Sequence, residues 1–280
     1  MISASIVIYK NYKVAEAATE SFLNSAIASK LYLIDNSPTD EAYALVSRIN
    51  DNRVEYIFNN KNLGYGKAHN IALKQSLRES LYHLILNPDV TFEKGTLESI
   101  FSFMQQYPAV GLLMPTVFYH NGAIQKLCNP LPKPINLISR RFFLNTNWAK
   151  RINDDYELKG FKYNHCLNVP NLSGCFMFLR CDTLKQTGFF DERYFMYMED
   201  IDLCRRIHAV SKTIFYPSVS IIHGFEKESY SNKRLLKHHI MSAIKYFNKW
   251  GWIFDKDRDE FNKRLFNELK NINRHLQINA

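Results

Sequence analysis

Paired cysteines are the first thing missing from this 280-residue chain. Its five, Cys128, Cys166, Cys175, Cys181 and Cys204, are odd in number and never fall in CxxC spacing. That argues against a disulfide framework and for a reducing compartment. Long apolar runs are missing too. The opening MISASIVIYK breaks at Lys10, and no later stretch reaches the ~18–20 residues of a spanning helix. The opening run reads as a buried strand rather than a secretory signal. The expected location is cytoplasmic, with a peripheral position on the inner face of the cell membrane open to it. Glycine is scarce, and its one clustered loop matches neither GxGxxG nor GxxxxGK[ST]. Paired Cys/His finger spacing is absent, so the net charge of +9 is not read as nucleic-acid binding. The excess, largely between Lys126 and Lys162 and after Lys227, suits phosphorylated substrates or an anionic membrane surface.

What is present is an alternation of strand and helix signals. Ser5–Tyr9, Leu31–Ile34, Val54–Phe58, Leu81–Leu86 and Val110–Met114 are short apolar runs. Helical spacing separates most of them: Val14, Ala18, Phe22 and Ala26 recur every four residues, and Leu97, Ile100, Phe101 and Met104 line one face. Thr39 or Asp40 is placed to cap the helix carrying Ala44, Leu45 and Ile49. The alternation predicts an α/β domain with a mainly parallel sheet between helices. Residues 120–165, rich in proline and weak in periodicity, read as a long insertion or mobile loop. Strands are expected at Cys175–Leu179, Thr213–Tyr216 and Val219–Ile222, and a helix starts near Glu199. Residues 1–228 therefore read as one domain, in halves 1–115 and 166–228 around the loop, with 229–280 as a helical tail.

In open α/β sheets ligands bind beyond the carboxyl ends of the strands, where Asp35 and Asn87-Pro88-Asp89 fall. Asp89 is the residue type that ligates Mg²⁺ or Mn²⁺, although Asn-Pro-Asp is also ordinary turn chemistry. Glu199, Asp200 and Asp202 crowd a helix start. Their repulsion suits a general base, and their charge also complements the helix dipole. His223 closes a strand as a candidate ligand or a core histidine. In NLGYGKAHN, Gly64 and Gly66 permit close backbone approach, and Lys67 and His69 are candidates to reach a phosphate.

Taken in order, SIVIYKN, LIDNS, NKNLGYGKAHNIAL, LNPDV, NLSGCFMFLR, GFFDERYFMYMEDIDLCRR and IIHG resemble the successive motifs of family 2 glycosyltransferases, with the rhamnosyltransferase-like branch most similar. The resemblance implies a GT-A-like fold and an inverting, metal-dependent transfer of a sugar from a UDP- or dTDP-sugar. The acceptor it implies is a growing bacterial surface polysaccharide such as O-antigen or capsule. It implies nucleotide binding by Tyr9, Asp35, Asn62, Gly64, Lys67 and Asp89, metal binding (Mn²⁺ or Mg²⁺) by Asp89 and His223, and catalysis by Asp200. Glu199 and Trp250 are candidates on the acceptor side. Tyr-Lys-Asn in the first motif departs from the usual Thr-Tyr-Asn and leaves Lys10 unexplained. The rival readings are a sugar-nucleotide pyrophosphorylase, which should carry a glycine-rich loop after the first strand, and a non-catalytic glycan-binding protein on a transferase fold.

Over Lys233–Trp250, Leu236, Ile240, Ala243, Ile244, Phe247 and Trp250 fall on one arc, and Lys233, Arg234, Lys237, His238, Lys245 and Lys249 on the neighbouring one. Such a helix either packs its apolar face on the domain or lies on an anionic bilayer. A second helix, with Phe261, Leu265, Leu269, Ile272 and Leu276 in line, is expected to pack on the first or against a partner chain, as in a homodimer.

Overall fold

The structure is a computed structural model that describes residues 2–142, 146–224 and 233–278. The expected boundary at 228/229 and Lys227 lie outside those residues. The elements run β1 (Ile2–Ile8), α1 (Ala15–Leu23), β2 (Ala28–Asp35), α2 (Tyr43–Ile49), β3 (Val54–Phe58), α3 (Tyr65–Glu79), β4 (Tyr82–Leu86) and β5 (Val90–Phe92). They continue α4 (Thr96–Gln106), β6 (Val110–Phe118), β7 (Cys128–Asn129), α5 (Pro134–Phe142), α6 (Asn147–Tyr156), β8 (Leu167–Asn168), β9 (Asn171–Leu172) and β10 (Phe176–Arg180). The last are α7 (Cys181–Thr187), α8 (Glu199–Val210), β11 (Lys212–His223), α9 (Lys233–Trp250) and α10 (Lys256–Ile278).

The main sheet has the order β3-β2-β1-β4-β10-β6-β11-β5, with β8 joined to β11. Its first four strands are all parallel, as the strand–helix alternation requires. β1 and β4 are buried on nearly every residue, which is why they read as continuous apolar runs rather than alternating ones. Beyond β4 the sheet is mixed, because β10 enters antiparallel between β4 and β6. That insertion positions the site. Phe176 pairs with Leu86, so the residues before β10 lie beside the residues after β4. His223 pairs with Val90, which brings the end of β11 to the same edge.

Several expectations change. The two strands expected around Pro217 are one strand, β11, whose register against β6 shifts between Tyr216 and Ser220. Pro217 has no N–H to give the ladder, so the shift falls at the proline. Neither Thr39 nor Asp40 caps α2: Ala42 is the N-cap, without a side-chain cap hydrogen bond. Residues 120–165 are no bare loop, since they carry β7, α5 and α6 among the described residues. The Thr146 hydroxyl caps α6 by accepting from the Ala149 N–H at 3.2 Å.

The C-terminal helices are built into the domain. Leu265 of α10 belongs to the main core, and Phe266, Leu269 and Ile272 pack against it. Asn262 exchanges two hydrogen bonds with the Leu131 backbone, at 2.7 and 2.9 Å. This apolar face packs on the core of the domain, where the sequence suggested packing on α9 or on a second copy of the chain. On α9 the buried residues are Ser242, Tyr246 and Phe247, which leaves Ile240 and Ile244 exposed instead of inward. Ser242 donates to the Met196 carbonyl at 2.8 Å, a polar anchor that turns the helix away from its purely apolar arc.

Candidate functional site

The site is an edge where β1, β2, β4 and β11 end and where β10 and α8 begin. Tyr9 follows β1 and is 46% exposed. Lys10, next to it, is in the left-handed region (φ 65°), and its N–H donates to the Ser37 hydroxyl at 2.7 Å. The lysine that the sequence left unexplained thus closes a turn that presents Tyr9. Asp35 ends β2 fully buried. One carboxylate oxygen accepts from the Tyr56 hydroxyl at 2.7 Å and the other from the Ser37 N–H at 2.8 Å. A ligand reaches Asp35 only where Tyr56 yields its hydrogen bond. Asn62 is exposed and accepts from the Gly64 N–H at 2.9 Å.

The loop glycines serve packing more than phosphate. A Cβ on Gly64 (φ 85°) would collide with the Phe195 carbonyl oxygen, and one on Gly66 would crowd the Phe190 side chain. Close backbone approach is indeed what they allow, but the neighbour is the segment leading into α8. Lys67 pairs with Glu192 at 3.2 Å. His69, a candidate for phosphate from the sequence, is fully buried under the sheet. Its Nδ1 lies 2.7 Å from the Ser5 hydroxyl, and burial holds its pKa well below the usual imidazole value. It has no route to a substrate.

After β4, the Asp89 carboxylate stands 3.5 Å from His223 Nε2. Gln125 grips His223 from the other side: Gln125 Oε1 is 3.0 Å from Nδ1, and the Gln125 amide donates to the His223 carbonyl at 2.8 Å. Burial opposes protonation of His223, but hydrogen bonding and charge from Asp89 and Cys175 prevail and push its pKa up to about 10. A divalent ion binds oxygen and imidazole donors at about 2.1 Å, which sets neighbouring ligands roughly 3 Å apart. The Asp89–His223 pair is close to that spacing, and Asp89 is part-exposed where a diphosphate could supply further oxygens. The donor set therefore fits Mn²⁺ or Mg²⁺ shared with a substrate. Among the described residues there is no group of three or more protein ligands.

The acids of α8 divide by environment. Asp200 is half-buried, and its carboxylate accepts from the Gly174 N–H at 3.0 Å and the Ile201 N–H at 2.8 Å. Burial raises its pKa, and these backbone donors oppose the rise. Glu199 is buried, with one carboxylate oxygen lacking any hydrogen-bond partner. Burial and then the charge of Asp200 push its pKa up to about 8. Asp202 is fully buried and bound to Arg206 at 2.9 Å, Lys249 at 2.6 Å and the Trp250 indole at 2.7 Å. Positions two apart on a helix point about 200° apart, so Trp250 lies on a different face from Asp200. Trp250, expected at the acceptor, instead docks α9 on α8, with the Arg205 guanidinium over its ring at 4.1 Å.

Sequence reasoning missed Tyr65, Gln125 and Gly174. The Tyr65 hydroxyl lies 2.7 Å from the Gly174 carbonyl and 3.1 Å from Asn87 Oδ1, and Asn87 Nδ2 is 3.4 Å from His223 Nε2. Tyr65 thereby joins the Asp89–His223 end to the Gly174–Asp200 end. Burial and then the surrounding acids, Glu199 foremost, keep its phenol well above its usual pKa and hence neutral. Its only signal in the sequence is its place between two glycines. Gln125 has none, sitting in the proline-rich stretch.

The sequence profile of glycosyl transferase family 2 matches residues 3–188, more than half of the chain. The chain belongs to glycosyl transferase family 2. This family 2 chain is 28% identical over 207 residues to the N-acetylglucosaminyl-diphospho-decaprenol L-rhamnosyltransferase of Mycobacterium tuberculosis, covering 68% of this chain and 65% of that protein. It is 24% identical over 193 residues to rhamnosyltransferase WbbL of Escherichia coli K12, covering 65% of this chain and 69% of the relative. Its fold is GT-A. A crystal structure of GalNAc-T7 with UDP, GalNAc and Mn²⁺ superposes with a TM-score of 0.64 at 13% identity, over 93% of this chain and 49% of that one.

Proposed function

We propose that the chain transfers a sugar, with rhamnose the leading candidate, from UDP or dTDP to a hydroxyl of a lipid-linked glycan, with inversion. The observation that carries the reading is the hydrogen-bonded path from the Asp89–His223 pair through Asn87, Tyr65 and Gly174 to Asp200. The rhamnosyltransferase relatives support the sugar, and the GT-A fold supports a nucleotide donor. Tyr9 would stack on the base, and Asp35 would accept from it once Tyr56 moves aside. Asn62 and Gly64 would border the donor. Asp89 and His223 would hold Mn²⁺ or Mg²⁺, which when bound stabilises the charge developing on the departing diphosphate. Asp200 would take the acceptor proton as the hydroxyl oxygen attacks the anomeric carbon and the bond from that carbon to the diphosphate oxygen breaks. A single displacement of this kind inverts the anomeric centre, and no protein nucleophile is required. The product would extend a bacterial surface polysaccharide such as O-antigen or capsule.

The test is calorimetry of UDP and dTDP with and without Mn²⁺, alongside a screen of nucleotide sugars for hydrolysis or transfer. Asp89→Ala should weaken nucleotide binding in Mn²⁺ and leave metal-free binding nearly unchanged. Equal binding by mutant and parent under both conditions would overturn the metal assignment. Preference for a nucleoside triphosphate would favour a pyrophosphorylase, and nucleotide binding without turnover of any sugar would favour a non-catalytic protein.

A further inference from the structure

The turn between α9 and α10 carries three consecutive large apolar side chains, Trp252, Ile253 and Phe254, all exposed, the last two by 77% and 91%. Soluble surfaces rarely gather such residues in one place. The turn is also rigidly built. Gly251 has φ 105°, and a Cβ there would collide with the Phe254 carbonyl oxygen. From beneath, the buried Arg258 donates to the Ile253 carbonyl at 2.8 Å and reaches that of Gly251 at 3.4 Å. Asp255 anchors the next position through two 2.5 Å hydrogen bonds from Arg205. With its backbone fixed from inside, the turn displays its side chains outward.

The neighbouring surface of α9 continues the pattern. Ile240, Met241 and Ile244 are exposed, and so are Lys233, Arg234, Lys237 and Lys245. α9 contains no carboxylate. The acids that follow the turn all have cationic neighbours: Asp257 with Arg205 at 3.9 Å, Asp259 with Lys133 at 3.5 Å, and Glu260 with Arg264. Among the described residues no helix is long and apolar enough to cross a membrane.

We propose that this face docks on an anionic lipid bilayer, with Trp252, Ile253 and Phe254 entering the interfacial layer and the basic residues of α9 lying over the headgroups. An apolar tip with a tryptophan beside a basic, acid-free helix face is complementary to an anionic interface. A second copy of the chain is a poorer occupant, because a two-fold contact would set the basic face against itself. The placement also serves the proposed reaction. α9 packs along the segment that leads into Glu199 and Asp200, with His238 stacked on Phe195 at 4.6 Å and Ser242 bonded to Met196. A bilayer on α9 would present a lipid-linked acceptor near the base. Only this last point rests on the proposed function.

The test is co-sedimentation of the full chain with phosphatidylcholine vesicles, with and without phosphatidylglycerol. Binding should require the anionic lipid and fall as salt rises. Ile253→Ser with Phe254→Ser should weaken it by about tenfold or more. Lys233→Gln with Lys237→Gln should weaken it and flatten its salt dependence. Both variants should keep the parental melting temperature and its rise with UDP and Mn²⁺, which separates loss of docking from failure of the nucleotide site. Brominated lipid should quench tryptophan emission in the parent, and less in Trp252→Phe. Binding that ignores lipid charge, or parental binding by the Ile253/Phe254 variant, would overturn the proposal. So would a concentration-dependent dimer that this variant dissociates while vesicle binding stays unchanged.

Discussion

Glu199 and Asp200 are adjacent in the chain, yet their surroundings assign them different work. Asp200 keeps partial exposure, and two backbone N–H groups donate to its carboxylate and oppose the rise in pKa that burial imposes, which suits the proposed role of proton acceptor. Asp200→Asn preserves the shape and removes that acceptor. Turnover should fall by about 10²–10⁴-fold while the melting-temperature rise with UDP and Mn²⁺ survives. A variant with more than about a tenth of parental turnover would show another base at work. Glu199 is instead held as the neutral acid. Its pKa rises from 4.5 in the open chain to about 8 in the fold. Between those values the folded state binds a proton that the unfolded state has lost, so stability falls as pH rises through this window. Glu199→Gln cannot titrate, and its melting temperature should decline less than the parent's from about pH 5 to 8. Parallel curves would refute the assignment.

At the scale of elements, the decisive joint is α8 against α9. Tyr197 and Met198 precede α8 in the left-handed region, φ 69° and 67°, which costs non-glycine residues about 1–2 kcal/mol each. The cluster of Tyr194, Met198, Tyr246 and Phe247 holds them there, so the strain that aims Glu199 and Asp200 is maintained by α9. Asp202 fastens the same joint through Lys249, Arg206 and Trp250. Asp202 and Arg206 have the i,i+4 spacing of a helical pair and form one, but Arg205 turns to Asp255, fifty positions away. Lys249 looked like part of a solvated basic arc and proves only 20% exposed, because its partners come from α8 and the segment before it. Periodicity reports which residues share a face and says nothing of what lies opposite. Asp202→Asn should leave Arg206 without a carboxylate partner and Lys249 with Asp191 alone, and cost about 3–5 kcal/mol in urea denaturation. A loss below about 1 kcal/mol would mean that the joint does not depend on this carboxylate.

Over the whole molecule, the parallel half of the sheet was legible because its strands are continuous apolar runs separated by helices, and Asp35, Asp89, Asp200 and His223 could be placed by motif and strand end. What escaped was long-range: Tyr65 bridging Asn87 to Gly174, Gln125 holding His223, and the entry of β10 antiparallel between β4 and β6. None of these leaves a local pattern, since each is a contact between residues that only the fold brings together. The same limit affected the division of the chain into a domain of 1–228 and a tail. The helices beyond it supply Tyr246, Phe247, Phe261 and Leu265 to buried clusters or packed faces, together with the Asp255 partner of buried Arg205. Four such side chains contribute about 6–12 kcal/mol by burial alone, comparable to the ~5–15 kcal/mol that holds a typical domain folded. Removing them would also leave Arg205 buried without its counter-ion, at a further cost. A chain cut after residue 228 should therefore fail to show a cooperative thermal transition, whereas the full chain should unfold in one. Near-ultraviolet circular dichroism and calorimetry of both chains decide it. A truncated chain that melts cooperatively at the parental temperature would restore the tail to the status of an appendage.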